Sequence, residues 1–281
     1  MKHKWIIPLA VLVLFSLSCS FTKLVKDPTT TPTLPIVEEA TKAPLTIPTK
    51  IPRPTATEVV EPTEQVEPTE VQATASEEAS DCPAYYTETF DQPTDCWDFS
   101  NAQTVTDIHN PDKVSFGPSA GYMDINVTTN EELYLYFLNA NWDYPSVVVE
   151  AEVVNHKGTN KNGIVLACYV NENGWYEVRL ETGGFFQVYQ YDANLRQQGK
   201  NPYTFIHQGG TKGIRIGYDR INTMTWECNG KDLTFDLNGE EIWTTTLREV
   251  NAGGGVGIGA TVYKDNYPVH IGFESLTIRE P

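Results

Sequence analysis

The chain has 281 residues, with 37 Asp and Glu against 20 Lys and Arg, so its formal net charge is −17 at pH 7. A field of that sign repels phosphate backbones and anionic lipid headgroups, which excludes nucleic acid as a partner. About the first eighty residues differ in composition from the rest, and the roughly 200 that remain suit one sandwich or jelly-roll domain.

Residues 1–19 have the layout of a secretory signal peptide. A basic start precedes the apolar run Trp5–Leu17, which is shorter than the roughly 20 residues that a bilayer span needs. Cys19 directly follows a small residue, and this resembles the lipobox of bacterial lipoproteins, although positions 16 and 17 depart from its usual pattern. We expect lipid modification of Cys19. The alternatives are ordinary signal cleavage after Ser16-Leu17-Ser18 and an uncleaved membrane anchor.

The segment 20–80 is built from Thr, Pro, Glu, Val and Ala, and it contains a short repeat, Val60–Gln65 followed by Val66–Val71. Proline removes backbone donors, and too little apolar surface is present to offset the entropy of ordering the chain. We therefore predict a disordered or extended linker that acts as a stalk. Its length of about sixty residues would reach on the order of 190 Å as polyproline II.

The domain predicted over residues 81–281 consists of short β-strands. Runs rich in β-branched and aromatic residues alternate with turn residues, and Asn-Gly pairs at 173–174, 229–230 and 238–239 favour tight hairpins. No amphipathic helix stands out. The pattern predicts an all-β fold, an antiparallel β-sandwich preceded by the disordered linker. The predicted strands are Tyr85–Phe90, Lys113–Phe116, Tyr122–Val127, Leu133–Leu138, Ser146–Asn155, Gly163–Tyr169, Trp175–Leu180, Phe185–Tyr191, Asn222–Cys228 and Asp232–Leu237.

Alternation along these strands separates a core face from an outward face. Leu133, Leu135 and Phe137 share one face, and the core face of the next strands carries Tyr176, Val178, Leu180, Phe186 and Val188. Flat aromatic rings pack on the C–H faces of pyranoses while polar groups bind hydroxyls, so the outward face is a candidate sugar-binding surface. Outward tyrosines also stabilise cross-strand pairs without any ligand. The candidate ligand-binding residues are Trp175, Glu177, Arg179, Gln187, Tyr189 and Tyr191.

A series of short segments carries a family resemblance. It consists of Phe90-Asp91, Gly163–Cys168, Gly174–Arg179, Leu233–Gly239, Gly255–Gly259 and Ile271–Leu276. The series resembles the concanavalin A-like, or laminin G-like, jelly-roll superfamily over roughly residues 85–280. The resemblance implies a jelly-roll sandwich. It implies little about activity, because the superfamily includes lectins, glycoside hydrolases, adhesion modules and pentameric pattern-recognition proteins.

Five cysteines are present, and setting Cys19 aside leaves an even number that suits disulfides in an oxidising compartment. Four cysteines allow three pairings. The resemblance implies Cys168–Cys228 between two sheet strands, with Cys82–Cys96 as the second bridge. Some relatives bind a structural calcium near their termini, where this chain has Asp91 and Glu274. We expect no other cofactor and no metal site, because no pair of histidines has metal-ligand spacing.

Catalysis finds little support in the sequence. Glucanases of the superfamily need Glu-x-Asp-x-(x)-Glu on one strand, and the nearest match, Glu150-Ala151-Glu152, lacks the aspartate and the third acid. We therefore predict a non-catalytic module outside the cell, held at the membrane by its lipid anchor, that binds an extracellular glycan. The alternatives are a glycoside hydrolase that uses Glu150 or Glu152, and an adhesive or structural module that binds a surface protein.

Overall fold

The computed structural model describes residues 74–75, 82–92, 96–100 and 102–281. The signal peptide, Cys19 and the linker apart from Thr74–Ala75 lie outside these residues, and their assignments remain predictions. In the part of the chain that is described, no helix is both long and apolar enough to cross a membrane.

The described residues form an all-β fold with one short α-helix. A 3-10 turn covers Pro111–Lys113, and helix α1 covers Ala193–Gln197. In chain order the strands are β1 (Thr74–Ala75), β2 (Tyr86–Glu88), β3 (Gln103–Thr104), β4 (Val114–Ser119), β5 (Tyr122–Val127), β6 (Leu133–Asn139), β7 (Trp142–Asp143), β8 (Ser146–Lys157), β9 (Gly163–Asn171), β10 (Gly174–Glu181), β11 (Phe185–Asp192), β12 (Tyr203–Gly210), β13 (Asn222–Asn229), β14 (Asp232–Leu237), β15 (Glu240–Thr246), β16 (Gly255–Val262) and β17 (Val269–Arg279).

Two antiparallel sheets form the sandwich. The seven-stranded sheet has the order β12-β11-β10-β9-β16-β6-β3, and the eight-stranded sheet has the order β15-β14-β13-β8-β17-β5-β4. Strand β2 adds to β17, and β1 pairs with β7 apart from both sheets. The prediction of an antiparallel all-β sandwich is confirmed.

One hydrophobic core fills the space between the two sheets. Alternate residues of each strand enter it, as expected for sheets that bury one face. Trp226 of β13 and Phe235 of β14 are completely buried there. The core also contains every residue that alternation predicts for it, namely Leu133, Leu135, Phe137, Tyr176, Val178, Leu180, Phe186 and Val188.

Among the residues that the structure describes, two disulfide bridges are present, Cys82–Cys96 and Cys168–Cys228. Cys168 belongs to β9 of the seven-stranded sheet and Cys228 to β13 of the eight-stranded sheet. The bridge between them therefore joins the two layers through the core, where both cysteines are completely buried.

The Asn-Gly pairs differ in how they turn the chain. Asn238 and Gly239 form the two-residue connection between β14 and β15, and their φ angles of 54° and 81° meet the requirement of a type I′ turn. Asn229 still pairs with Asp232, so the turn between β13 and β14 consists of the next two residues. The pair predicts a hairpin at both places, but its exact centre only at the first.

Helix α1 has no counterpart in the sequence prediction. It has five residues, too few to show a helical period. The side chain of Asp192 caps it by accepting hydrogen bonds from the backbone N–H groups of Asn194 at 2.8 Å and Leu195 at 3.1 Å. A local cap at the end of β11 therefore starts the helix.

Candidate functional site

The six candidate ligand-binding residues lie together on the seven-stranded sheet. Strands β10 and β11 pair Trp175 with Tyr191, Glu177 with Tyr189, and Arg179 with Gln187. Tyr176, Val178 and Val188, which lie between these pairs along the strands, pack into the core. The three pairs therefore form rows on the outer face of the sheet. Their place on one face is a finding, whereas their role in ligand binding stays a prediction.

A buried ion pair occupies the middle of this face. Arg179 donates from Nε to Oε1 of Glu177, and the two side chains are 4% and 0% exposed. Glu177 also accepts from Trp175 Nε1 at 2.6 Å and from the Tyr136 hydroxyl at 3.3 Å. The carboxylate thus has three donors, as a charge removed from water requires.

Three tyrosine rings surround the guanidinium of Arg179. Its Cζ lies 4.9 Å from the ring centre of Tyr134, 4.4 Å from that of Tyr189 and 4.3 Å from that of Tyr203, all within cation–π range. Burial would lower the pKa of Arg179, but the charge of Glu177 and the neighbouring tyrosine oxygens together outweigh burial and raise the pKa well above its ordinary value. Arg179 is therefore a fixed cation.

The tyrosines of this cluster are neutral hydrogen-bonding groups. The hydroxyls of Tyr136 and Tyr203 lie 2.8 Å apart, and the Tyr134 hydroxyl donates to Oε1 of Glu132 at 2.8 Å. Burial is the main cause that raises the pKa of all three, and the charge of Glu177 adds to it for Tyr136 and Tyr203. Their O–H donors are therefore retained at neutral pH.

Much of the predicted binding face is closed rather than open. As whole residues, Trp175, Glu177, Arg179 and Tyr191 are 6%, 0%, 3% and 7% exposed. Part of the physical cause lies in β9 and β16, which lie between β10 and β6 in the sheet. Val165 and Ala167 of β9 pack within the cluster. A Cβ on Gly259 of β16 would collide with the carbonyl oxygen of Leu135 and would lie 3.2 Å from Cδ1 of Tyr136. Glycine here lets large neighbouring side chains lie across the sheet and cover the ion pair.

The accessible part of the face is a pair of aromatic rings near the β12 edge. Tyr189 pairs across the strands with Phe205, their ring centres are 5.8 Å apart, and Phe205 is 53% exposed. Gln187, which is half-buried, accepts a hydrogen bond from the Tyr263 hydroxyl at 3.4 Å. We call Gln187, Tyr189 and Phe205 the aromatic platform.

Sequence analysis missed two residues that build this face, Tyr203 and Phe205. They alternate on β12, and that period of two is the signal that could have identified them. The strand is difficult to recognise because it begins directly after Pro202 and ends in Gly209-Gly210. Both flanks favour turns over strands.

A small depression of about 110 Å³ lies at the end of β10 and β11. Its aromatic lining comes from Tyr169, Trp175, Tyr176 and Tyr191. None of the three platform residues lines this depression. Its amide groups supply both hydrogen-bond donors and acceptors. Its polar lining comes from Asn173, Gln190, Asp192, Asn194 and Asn251.

The two acids of the hydrolase alternative lie elsewhere. Glu150 and Glu152 are on the outer face of β8, in the eight-stranded sheet. Glu150 accepts from Thr225 Oγ1 at 3.2 Å, and Glu152 accepts from Ser275 Oγ at 3.2 Å. They are therefore on the opposite side of the sandwich from the aromatic platform.

Two histidines that are far apart in the sequence lie side by side in the fold. The ring centres of His156 and His270 are 4.7 Å apart. With Asp124 they form, among the described residues, the one group of at least three His, Cys, Asp or Glu side chains close enough to share a metal ion. Asp91 and Glu274, the calcium positions implied by the resemblance, do not belong to such a group.

Comparison with known proteins identifies the fold and not the family. No protein-family model and no curated protein matches the chain. A protein of unknown function with a galectin-like fold from Bacillus subtilis is similar with a TM-score of 0.51 and 8% identity, over 74% of this chain and 98% of that one. A native glycosidic hydrolase is similar with a TM-score of 0.50 and 13% identity, over 70% of this chain and 98% of that one. At these identities the likeness shows a shared sandwich fold alone.

Proposed function

We propose that the chain is a non-catalytic binding module for extracellular glycans, and that the glycan binds on the aromatic platform. The observation that carries the proposal is the pair Tyr189 and Phe205, two neighbouring rings held on the outer face of the sandwich, with Phe205 more than half exposed. An exposed aromatic pair beside polar groups is typical of a surface that binds an amphipathic ligand.

The chemistry of a sugar ring matches this surface. A pyranose has apolar C–H faces and a rim of hydroxyls, so it needs flat rings and hydrogen-bonding groups side by side. Tyr189 and Phe205 supply the rings. The amide of Gln187, which lies on the same face of the sheet, supplies hydrogen-bond donors and an acceptor.

The buried ion pair has a supporting role in this proposal. The guanidinium of Arg179 packs 4.4 Å from the ring centre of Tyr189 and is itself held by Glu177. A ring that is ordered before the ligand arrives loses less conformational entropy on binding. Trp175, Glu177 and Arg179 would therefore position the platform rather than contact the sugar.

The expected location of the protein, outside the cytoplasm, is compatible with an extracellular glycan as the ligand. Two disulfides suit an oxidising environment outside the cytoplasm. The predicted signal peptide, lipid-modified Cys19 and linker would display the domain at the cell surface. One protein of similar fold is a glycosidic hydrolase, which agrees with a glycan as the ligand class.

A glycan array probed with the full chain tests the proposal. We expect the wild type to retain one class of glycan, and Tyr189→Ala and Phe205→Ala each to weaken binding at least about tenfold, because each removes a stacking ring. Tyr218→Ala is the matched control. Tyr218 is exposed and lies outside the platform, between β12 and β13, so its loss should leave binding unchanged.

Two results would count against the proposal. If the wild type retains no glycan, the ligand class is wrong. If it retains a glycan that both platform variants bind equally well, the ligand class is right and the site is wrong. Sugar release from a polysaccharide panel, abolished by Glu152→Gln, would instead support the hydrolase alternative.

A further inference from the structure

A second cluster of polar side chains lies on the outer face of the eight-stranded sheet. Asp124 of β5, His156 of β8 and His270 of β17 converge there, and their ligand atoms all lie within 4.8 Å of one another. Oδ1 of Asp124 is 3.2 Å from Nε2 of His270 and 3.9 Å from Nε2 of His156. Two ligand atoms of one tetrahedral zinc ion, with bonds of about 2.0 Å, lie about 3.3 Å apart. The 3.2 Å separation between Asp124 and His270 is close to that spacing, whereas the 3.9 Å separation between Asp124 and His156 exceeds it.

The backbone directs His156 toward this cluster. Lys157 pairs with His270 and Asn155 pairs with Ile271, which leaves His156 as the extra residue of a β-bulge. Bulges redirect side chains and are frequent beside functional sites.

The neighbouring strand makes room for the same ring. A Cβ on Gly272 of β17 would lie only 2.8 Å from Nε2 of His156 and 3.0 Å from Cδ1 of Tyr122. Glycine at this position therefore allows the Nε2 edge of the imidazole to approach the sheet beside Asp124, which pairs directly with Gly272.

A fourth residue orients the imidazole of His156. Oδ1 of Asp219 lies 2.8 Å from Nδ1 of His156. When the Nδ1–H group donates to this carboxylate, Nε2 keeps its lone pair and faces Asp124. A carboxylate behind the second ring nitrogen is the usual arrangement for a histidine that binds a metal.

We propose that Asp124, His156 and His270 bind one zinc-type divalent cation, with Asp219 as a positioning residue. Two imidazole nitrogens and one carboxylate oxygen suit zinc and its neighbours in the transition series, whereas calcium and magnesium prefer ligand sets made of oxygen alone. The side chains of Asp124, His156 and His270 are 22%, 21% and 34% exposed, so an ion can reach all three.

The site has an open side. Asp124 and His270 also line a depression of about 360 Å³ together with Ser115 and Asn126. Three protein ligands leave at least one coordination position of the ion free for water or for an oxygen atom of a bound molecule. That position would face the depression.

Calorimetric titration of the chelator-treated full chain with zinc chloride tests the proposal. The chain would carry Cys19→Ser, so that the one cysteine outside the two disulfides does not compete for the metal. We expect saturation at one zinc per chain and loss of this binding in His270→Ala. His109→Ala removes an exposed histidine outside the group and should bind zinc like the parent.

Two further variants separate metal binding from general structure. Asp219→Asn keeps every ligand, so we expect zinc affinity to fall about tenfold to hundredfold while the Tm of the metal-free protein stays unchanged. Gly272→Ala also keeps every ligand but crowds Nε2 of His156, so zinc affinity should again fall. Cobalt-loaded protein should show visible absorption bands that disappear in His156→Ala.

Four results of these titrations would contradict parts of the proposal. Failure of the parent chain to saturate at one zinc, or equal binding by parent and His270→Ala, would overturn the site. Equal zinc affinity of the parent and Asp219→Asn would overturn the positioning role. If His270→Ala does not fold, the Gly272→Ala comparison decides, and unchanged zinc affinity there would count against the proposed geometry.

Discussion

Arg179 and Glu177 form an ion pair in which each member depends on the other. Both are almost fully buried, and the tyrosine rings over Arg179 exclude the water that would otherwise solvate its charge. Removing one partner of such a pair leaves an uncompensated charge, which costs more than the pair itself contributes.

We expect Arg179→Met to lower the free energy of unfolding by about 3–5 kcal/mol, because Glu177 would stay buried without its cation. The double variant Arg179→Met with Glu177→Gln should recover a large part of this loss, since no net charge is then buried. Urea denaturation followed by fluorescence measures both. Wild-type stability of Arg179→Met would show that water reaches Glu177 and that the pair is not buried in solution.

At the scale of residues, the sequence predicts the sheet face on which a side chain lies better than it predicts how deeply that side chain is buried. Alternation correctly separates Tyr176 and Val178 in the core from Glu177 and Arg179 on the outer face. It does not indicate that the outer pair is covered, because two of the three rings around Arg179, those of Tyr134 and Tyr203, come from β6 and β12. Those strands reach Arg179 only through the order of the sheet, which alternation within one strand does not contain.

At the scale of elements, the two disulfides constrain the chain unequally. Cys168–Cys228 closes a loop with a sequence separation of 60, whereas Cys82–Cys96 has a separation of 14. In the chain-entropy model, a longer closed loop restricts the unfolded state more strongly. The disulfide that closes the longer loop also crosses the core from one sheet to the other.

We expect Cys168→Ala with Cys228→Ala to lower the free energy of unfolding by about 4 kcal/mol, and Cys82→Ala with Cys96→Ala to lower it by about 3 kcal/mol. Guanidinium denaturation of the two double variants beside the wild type measures the difference. A larger loss from the shorter loop would show that packing around Cys82, rather than loop entropy, decides the order.

Two edge strands are missed by the sequence analysis. Strand β12 lies at one edge of the seven-stranded sheet and β15 at one edge of the eight-stranded sheet, and neither is among the predicted strands. Residues on an edge strand need less apolar burial, so their pattern is weaker. The Glu240-Glu241 start of β15 and the Gly-Gly end of β12 illustrate this.

At the scale of the whole molecule, burial of tyrosine makes stability depend on alkaline pH. Burial is the largest cause of every one of these shifts, and it raises the pKa of Tyr86 and Tyr169 to about 12. The tyrosines with a raised pKa are Tyr85, Tyr86, Tyr134, Tyr136, Tyr144, Tyr169, Tyr176, Tyr189, Tyr191 and Tyr203.

Proton linkage gives the direction in which the free energy of unfolding changes with pH. Below the ordinary tyrosine pKa of 10.0, the folded and unfolded chains both keep these protons. Above it only the unfolded chain releases them freely, so we expect the free energy of unfolding to fall between about pH 9 and about pH 12. Tyrosinate absorbance and circular dichroism, recorded together, should change in parallel. Full ionisation of all tyrosines near their ordinary pKa, with a native circular dichroism spectrum, would contradict the burial.

The cluster of Asp124, His156 and His270 shows what sequence order alone does not contain. The three residues come from β5, β8 and β17, which become neighbours only because β17 lies between β5 and β8 in the sheet. No spacing along the chain encodes that order. The bulge that presents His156 is also a property of two strands together rather than of either strand alone.

The inter-sheet bridge also determines how the molecule responds to mechanical load. Strands β10, β11 and β12, which carry the aromatic platform, all lie between Cys168 and Cys228. Tension applied between the two ends of the chain passes from Cys168 to Cys228 through the covalent bond and bypasses these strands. Stretching can therefore unravel the outer segments of the chain, but it cannot extend the loop that carries the platform until the disulfide is reduced.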